Sequence, residues 1–218
     1  MNSSPRRSVG LSVFLAFSIL ESGWTGERIA VGEFSLGRLA GWETKAFHGR
    51  TSYSLVERDG ILMLRAESRG TASGLWREIA VDLGKTPYLH WSWCVDNTLG
   101  RLDERSRSGD DYPARVYVIA SGGLAFWRTR SLNYVWASHA KPGENWPNAF
   151  AGNRVQMLAL RSGDPGRCQQ ERRNVRADLA RYFGEDIRHI DALALMTDTD
   201  NSGRSAVAYY GDLWFSSE

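Results

Sequence analysis

The stretch Tyr88–Val95, with the sequence YLHWSWCV, decides the fold. Successive side chains of a β-strand point to opposite sides of the sheet, so a strand here places Leu89, Trp91, Trp93 and Val95 on one face. A face made of two indole rings and two aliphatic side chains gains stability mainly by burial against other apolar groups. We therefore predict that this strand contributes a main face of the hydrophobic core.

Short runs of the same character continue along the chain, separated by turn signals such as Asp59-Gly60. The predicted strands are Ser52–Glu57, Ile61–Glu67, Gly74–Val81, Tyr88–Val95, Arg115–Ala120, Leu132–Ser138, Arg154–Arg161, Ala192–Thr197 and Ala206–Phe215. Segments 96–111, 121–130 and 139–152 are predicted loops. Strands at this spacing favour an all-β fold. We predict a single β-sandwich domain over residues 31–218, jelly-roll-like and mainly antiparallel.

One segment departs from the strand pattern. Val175–Phe183 carries Val175, Leu179 and Tyr182 at helical spacing, and Gly184 stands in the position of a C-terminal cap. The sequence therefore predicts one short helix that packs on the sandwich.

The composition excludes several classes of protein. Of the 218 residues, 42% are hydrophobic and 24% are charged, as in ordinary globular domains, so a disordered or fibrous chain is excluded. The formal net charge of +2 is too small for a nucleic-acid-binding surface, and we expect no nucleic-acid partner. The sequence contains no Gly-x-Ser-x-Gly motif and no phosphate-binding loop, and no histidine stands at zinc-ligand spacing.

The N-terminus has the pattern of a secretory signal, with Arg6 and Arg7 ahead of the apolar run Val9–Leu20. A helix of this length rises about 18 Å, well short of the roughly 30 Å hydrocarbon core, so we expect no stable membrane span. We predict that residues 1–23 form a signal peptide and that the protein is periplasmic or secreted. The alternative is an uncleaved N-terminal anchor.

The chain has two cysteines, Cys94 and Cys168. An even number of cysteines in an exported protein commonly forms disulfides. The residues alone leave two alternatives open, a Cys94–Cys168 bridge or two unrelated buried thiols.

The segment Asp198–Gly203, with the sequence DTDNSG, matches the first half of a calcium-binding loop, because oxygen-bearing side chains alternate and Gly stands at the sixth position. Asp198, Asp200 and Ser202 supply three candidate metal ligands, and Asp212 is needed from the next strand because the usual glutamate is missing. Calcium is therefore a candidate cofactor. The alternative is a turn in which the Asp and Asn side chains bind backbone N–H groups.

Two adjacent carboxylates, Asp110 and Asp111, are candidate ligand-binding residues. Paired carboxylates can bind a metal, share a proton, or act as acid and base. If their loop meets the loop at 198–203, the two together form one acidic pocket. The alternatives are a solvated turn or an ion pair with Arg115.

Aromatic residues in the predicted loops and at strand ends are the other candidates for ligand binding. Trp127, Trp136 and Trp146 offer large rigid surfaces that can stack on a sugar or grip a peptide, and His139 follows Trp136 in a predicted loop. The alternative is that these Trp side chains cap the sandwich core.

Several motifs occur along the chain in the order found in one bacterial protein family. They are GW at 41–42, ASGL at 72–75, WSW at 91–93, GDDYPARVYV at 109–118, LNYVWA at 132–137, RNVRAD at 173–178, FGE at 183–185, MTDTDN at 196–201 and AYYGD at 208–212. Over residues 34–215 the chain resembles the family designated domain of unknown function 3047, a resemblance that implies little about activity. In that family the position of Cys94 is more usually basic and a Trp is common near Cys168. Both departures favour a disulfide specific to this branch.

A second resemblance concerns the fold. Phe34, Gly41-Trp42 and Tyr210–Leu213 are arranged as in sandwiches of the galactose-binding or carbohydrate-binding-module type, a fold that hosts many functions. We expect a non-catalytic binding protein of the cell envelope or periplasm, with a glycan or another polar small molecule as ligand. One alternative is a polysaccharide hydrolase or lyase that uses loop carboxylates, and another is an envelope module that binds a second protein.

Overall fold

The computed structural model describes residues 26–218, which form two β-sheets packed face to face and one α-helix. The strands are β1 (Arg28–Gly32), β2 (Glu43–His48), β3 (Ser52–Arg58), β4 (Ile61–Arg69), β5 (Ala72–Asp82), β6 (Tyr88–Val95), β7 (Ala114–Ala120), β8 (Arg130–Ala137), β9 (Asn145–Asn148), β10 (Gly152–Ser162), β11 (Gln169–Asn174), β12 (His189–Met196), β13 (Ser205–Tyr210) and β14 (Leu213–Ser216), and the helix is α1 (Val175–Phe183). The predicted all-β sandwich with one short helix is confirmed. The predicted signal peptide, residues 1–23, lies outside the described residues.

The two sheets contain seven strands each. Sheet I has the order β1-β14-β6-β13-β4-β3, and β11 also pairs with β6. Sheet II has the order β2-β5-β12-β7-β8-β10-β9. The pairs are antiparallel, as predicted, except that β8 and β10 run parallel. The chain reverses direction once in β9 and again in β10, its antiparallel partner at the edge of sheet II, so β10 runs in the same direction as β8.

Four strands were not predicted from the sequence, namely β1, β2, β9 and β11. Strand β9 lies within segment 139–152, so the prediction of a loop over that whole segment was wrong. The predicted strand Ala206–Phe215 is two strands, because the chain breaks at Gly211-Asp212. Gly211 N donates to Ser92 O across 2.9 Å, so β13 and β14 pair with different parts of β6. The sandwich also includes β1, which pairs with β14 and begins before residue 31.

The face predicted from YLHWSWCV lies in the core. Leu89, Trp91, Trp93 and Val95 are each at most 2% exposed. Trp91 packs on Tyr134 with ring centroids 5.3 Å apart, and Trp93 packs edge-on against Trp136 at 5.8 Å. Because Tyr134 and Trp136 lie on β8, these aromatic pairs join sheet I to sheet II.

Helix α1 covers one part of this core with Val175 and Leu179. Asn174 caps its first turn by accepting from Ala177 N at 3.0 Å. Gly184 ends it in the left-handed conformation, with φ of 69°, that a residue without Cβ adopts at low cost. Within residues 26–218, no helix has both the length and the apolar character needed to cross a membrane.

Cys94 and Cys168 form a disulfide, with Cα atoms 4.3 Å apart, which confirms the predicted bridge. The pairing follows from strand register. Gln169 lies opposite Trp93 in the antiparallel β6–β11 ladder, so Cys168 meets Cys94 one position further along. The bridge therefore ties the start of β11 to the buried strand β6.

Candidate functional site

A row of side chains crosses the outer face of sheet II, the face turned away from the sandwich core. Trp76 on β5, Ala194 on β12, Tyr117 on β7 and Asn133 on β8 are in register across four adjacent strands. Their sequence neighbours face the other way, and Leu75 is among the core residues. The alternation that buries one side of each strand thus presents this row on the other side.

The surface of the sheet is recessed between the larger side chains. Gly74, Ala192 and Ala194 line the depressions beside Trp76 and Tyr117. Their small side chains, or the absence of one at Gly74, leave room above the sheet. This part of the sheet is therefore a groove whose walls are aromatic.

Three adjoining cavities follow the groove. The end pocket has a volume of about 410 Å³, a small cavity of about 60 Å³ lies in the middle, and a third of about 640 Å³ lies at the opposite end. Tyr117 and Met196 line both the end pocket and the middle cavity, and Trp76 lines the middle and the third. The shared residues make the three cavities one continuous surface.

Trp76 is the central aromatic of the groove. The ammonium group of Lys45 lies 3.7 Å from its ring centroid, a cation–π contact that orients both side chains. Its indole Nε1–H has no hydrogen-bond partner among the described residues. The nitrogen is buried, and a buried donor without a partner costs roughly 1–3 kcal/mol.

The other aromatic walls differ in exposure. Phe47 is 75% exposed and Phe150 is 54% exposed, and both line the end pocket. Tyr117 is more enclosed, and its hydroxyl donates to Met196 Sδ at 3.3 Å. Burial raises the pKa of Tyr117, so this side chain stays a neutral phenol. Phe47 and Phe150 thus keep large apolar surfaces accessible at the end of the sheet where the polar side chains are mostly buried.

The two acidic loops meet at that end. Asp110, Asp198 and Asp200 all line the end pocket, and Asp111 lies beneath it, fully buried. Arg115, on β7, is 4% exposed and lines the same pocket. The loop before β7 and the loop after β12 come together because β7 and β12 are antiparallel neighbours, so the start of one adjoins the end of the other.

Arg115 compensates the charge of Asp198. Its Nε donates to Asp198 Oδ1 at 2.8 Å, its Nη2 contacts Asp198 Oδ2, and Nη2 also donates to the backbone oxygen of Asp110 at 2.9 Å. Burial alone lowers the pKa of Arg115, but Tyr117 and Asp110 outweigh that effect and hold the pKa above its usual value. The guanidinium group is therefore a permanent positive charge in the pocket wall.

Asp110 is only partly satisfied. Its Oδ2 accepts from Asn148 Nδ2 at 2.8 Å, and its Oδ1 has no hydrogen-bond partner among the described residues. The nearest cationic atom to Oδ1, Arg115 Nη1, is 4.0 Å away, beyond hydrogen-bond distance. A pocket wall with an unused acceptor is suited to a ligand that donates a hydrogen bond.

Three carboxylates stand close enough to hold a metal ion, but they are not the predicted set. Asp111, Asp198 and Asp200 each place one oxygen within 4.8 Å of the others. Asp212 is not part of this cluster. Asp212 instead accepts from the backbone and hydroxyl of Ser35, while the Ser202 backbone donates to Asp111 at 2.6 Å.

The oxygens of this cluster already have donors. Asp111 also accepts from the backbone and the side chain of Asn201, each at 3.2 Å. Asp198 accepts from Arg115. Calcium requires six to eight oxygen ligands, and few lone pairs remain here. The arrangement favours the alternative in which the loop is a turn held by hydrogen bonds and by an arginine, and calcium binding stays a prediction.

Two of the predicted ligand-binding aromatics are buried and cannot contact a ligand. Trp136 is fully buried in the core, where its Nε1 donates to Gly163 O at 2.8 Å. Trp146 is 3% exposed, and its Nε1 donates to Glu104 O at 3.0 Å. The prediction was wrong because Trp136 lies on β8, where its neighbours on both faces are buried as well, and Trp146 is one of the buried residues of β9, in which buried and exposed residues alternate.

Trp127 and His139 are at the surface. Trp127 is 59% exposed in the connection between β7 and β8, which borders the third cavity through Ser121 and Thr129. His139 is exposed in the connection after β8 and does not line any of the three cavities. Of the three Trp residues and His139 that were predicted to bind a ligand, Trp127 is thus the one placed near the groove.

The residues that build the groove were not among the predicted site residues, namely Trp76, Tyr117, Asn133, Phe47 and Phe150. A signal was present for Trp76 and Tyr117, since each is a large aromatic on the side of its strand opposite the apolar residues. An aromatic side chain out of phase with the core pattern indicates a site where a strand presents an apolar surface to solvent. For Asn133 and Phe150 the sequence contains no comparable signal.

The two packed sheets define the class of protein, a β-sandwich of jelly-roll type. In fold the chain is similar to the family 30 carbohydrate-binding module of the cellulosomal cellulase Cel9D-Cel44B of Clostridium thermocellum, with 10% identity, a TM-score of 0.53, and coverage of 88% of this chain and 98% of that one. It is also similar to the cellulose induced protein Cip1, with 10% identity, a TM-score of 0.50, and coverage of 87% and 97%. At this level of identity the similarity establishes the fold alone.

Sequence comparison gives the family. Residues 40–214 match the family described as "Protein of unknown function (DUF3047)", and the chain belongs to that family. No curated protein matches the sequence.

Proposed function

We propose that the groove on sheet II binds a glycan and that the protein is a non-catalytic binding protein. The observation that carries this proposal is the row of Trp76, Tyr117 and Asn133 on the outer side of the sheet, in which Trp76 and Tyr117 are half-buried and Asn133 is buried but lines the end pocket. Trp76 and Tyr117 stand two strands apart, about 10 Å at roughly 4.8 Å per strand. Two aromatic groups at that separation offer stacking surfaces to successive parts of an extended ligand.

The polar groups suit a ligand rich in hydroxyl groups. The indole N–H of Trp76 is a donor and Oδ1 of Asp110 is an acceptor; both atoms are buried without a partner among the described residues, so a ligand reaches them only after the neighbouring side chains move. A sugar hydroxyl both accepts and donates hydrogen bonds, so one class of ligand satisfies both groups. Ligand sites in general combine apolar walls with a few convergent polar groups, as this groove does.

We further propose that the protein works outside the cytoplasm. The Cys94–Cys168 disulfide supports this, because disulfides form and persist in oxidising compartments. The secretory pattern of residues 1–23 supports the same location.

A polysaccharide-cleaving enzyme is the second candidate, because Asp110 and Asp200 line the same open pocket. Glycoside hydrolysis uses two carboxylates on either side of the scissile bond. Incubation of the protein with any oligosaccharide that it binds separates the two functions. Release of new reducing ends that is lost in Asp110→Asn identifies an enzyme, and an intact oligosaccharide identifies a binding protein.

Trp76→Ala is expected to weaken glycan binding by at least about tenfold, or about 1.4 kcal/mol, because it removes the central stacking surface. The measurement is a glycan-array screen of the protein without its first 23 residues, followed by calorimetric titration of the best ligand into both proteins. Trp214→Ala is the matched control. Trp214 is a half-buried Trp on the outer face of sheet I, where it stacks on His90 with ring centroids 5.0 Å apart.

The two variants separate the groove from the rest of the surface. The proposal requires that Trp214→Ala bind the glycan as the unaltered protein does, once the melting temperatures show that both variants are folded. Equal binding by Trp76→Ala and the unaltered protein, or no ligand on the array, would overturn it.

A further inference from the structure

The end pocket of the groove has an excess of negative charge. Four carboxylates lie in or directly under its wall, those of Asp110, Asp111, Asp198 and Asp200. Among the described residues that line it, Arg115 is the single cationic side chain, and it is engaged by Asp198. Among the described residues Asp200 has no ion-pair partner, and Asp110 reaches Arg115 only across 4.0 Å, beyond hydrogen-bond distance.

These two carboxylates are also the ones with acceptor capacity to spare. Asp110 is 4% exposed, and its Oδ1 has no hydrogen-bond partner among the described residues. Asp200 is half-buried, and it accepts one long bond, from Asn201 Nδ2 at 3.3 Å. A carboxylate that has unused lone pairs and no hydrogen bond from a cation attracts a cationic donor more strongly than a neutral one in a partly enclosed pocket.

An ammonium group fits these acceptors better than a metal ion does. Calcium needs six to eight oxygens, but the oxygens of Asp111 and Asp198 already accept from backbone N–H groups, from Asn201 and from Arg115. An ammonium group donates three hydrogen bonds. Asp110 and Asp200 supply acceptors for them. The hydrogen bonds that Asp111 and Asp198 already accept, including the one from Arg115, stay in place.

We propose that the end pocket recognises the ammonium group of an amino sugar, which makes the groove selective for cationic over neutral and anionic glycans. This proposal rests on the glycan-binding function proposed above. Trp76 and Tyr117 can stack on any sugar chain, whereas Asp110 and Asp200 favour a chain whose substituent is positively charged.

The experiment compares β-1,4-linked oligosaccharides of one length that differ in a single substituent of each sugar. The series comprises oligomers of glucosamine, with an ammonium group, of glucose, with a hydroxyl, of N-acetylglucosamine, with a neutral amide, and of glucuronic acid, with a carboxylate. Calorimetric titration at low salt is expected to give roughly tenfold tighter binding of the glucosamine oligomer than of the glucose oligomer, and the weakest binding of the glucuronic acid oligomer. The preference is expected to shrink at high salt, where the Debye length falls to about 3 Å at 1 M.

Asp110→Asn and Asp200→Asn test the pocket itself, and each is expected to reduce the preference for the glucosamine oligomer by at least about threefold. Glu57→Gln is the matched control, because it removes one exposed carboxylate from β3 in sheet I and should leave the preference intact. Binding of the neutral oligomers as tight as that of the glucosamine oligomer overturns the amino-sugar proposal and leaves the glycan-binding function standing. Binding of no member of the series overturns the amino-sugar proposal, and the glycan-array screen then decides whether the glycan-binding function fails as well.

Discussion

Reduction of the Cys94–Cys168 bridge is expected to lower the free energy of unfolding by about 4 kcal/mol, the value that the chain-entropy relation gives for a loop of this length. The two cysteines are separated by 74 positions, so the bridge closes a long loop that contains β7 to β10 of sheet II. Opening it frees that loop in the unfolded chain and releases the start of β11 from β6 in the folded one. For a domain of this size the corresponding fall in melting temperature is about 10 °C.

The measurement is urea unfolding of the protein without its first 23 residues, with and without reductant, with alkylation to show that both thiols are free. The Cys94→Ala/Cys168→Ala variant is the control, since its midpoint should match that of the reduced protein and should not respond to reductant. An unchanged midpoint in protein whose thiols are fully alkylated would show that the bridge does not stabilise the fold.

Arg115→Ala is expected to destabilise the domain by about 3–5 kcal/mol, because it leaves the buried carboxylate of Asp198 without its partner. Asp110 and Asp111 lie close to the same point, so their repulsion with Asp198 is then unopposed. Urea unfolding measures the loss. Arg204→Ala is the matched control, because Arg204 is exposed, and its replacement should change stability by less than about 0.5 kcal/mol.

The same experiment separates the two accounts of the acidic cluster. If Arg115 compensates the cluster, neither EDTA nor excess calcium changes the melting temperature, and the Arg115→Met/Asp198→Leu double variant is more stable than Arg115→Ala, because it buries no unpaired charge. If a calcium ion compensates it, EDTA lowers the melting temperature, and calcium at a hundredfold over its dissociation constant adds about 2.7 kcal/mol. A small effect of Arg115→Ala together with a clear response to EDTA would contradict the arginine account.

Alternation in the sequence predicted the elements whose residues bury one face. Strand β6 and helix α1 match their predicted ranges, because each presents a clear apolar face with an unambiguous period. Strand β11, with the sequence QQERRN, has no apolar residue, and β2 is exposed along its whole length. Such strands are held by pairing to β6 and β5, which a pattern of local hydrophobicity does not reveal.

The site was harder to predict, because it depends on register between distant strands. Asp110 and Asp198 were identified from local motifs, and they do line one pocket. Trp76 and Tyr117 come together through their common neighbour Ala194 on β12, a strand that begins more than seventy positions after Tyr117. A single sequence contains no record of that pairing, so the groove became visible only with the fold.

The indole N–H signals of the nine Trp side chains in a ¹H–¹⁵N NMR spectrum test the glycan-binding groove most directly. The signal of Trp76 is assigned by its loss in Trp76→Ala, and those of Trp136 and Trp214 by Trp136→Phe and Trp214→Ala. On titration with the best array ligand, a progressive shift of the Trp76 signal is expected, because a sugar that stacks on the half-buried indole changes the surroundings of its N–H. Trp136, in the core, and Trp214, on sheet I, should keep their positions. A saturable shift of Trp214 with Trp76 unmoved, or no shift of Trp76 at a ligand concentration that saturates binding, would contradict the account.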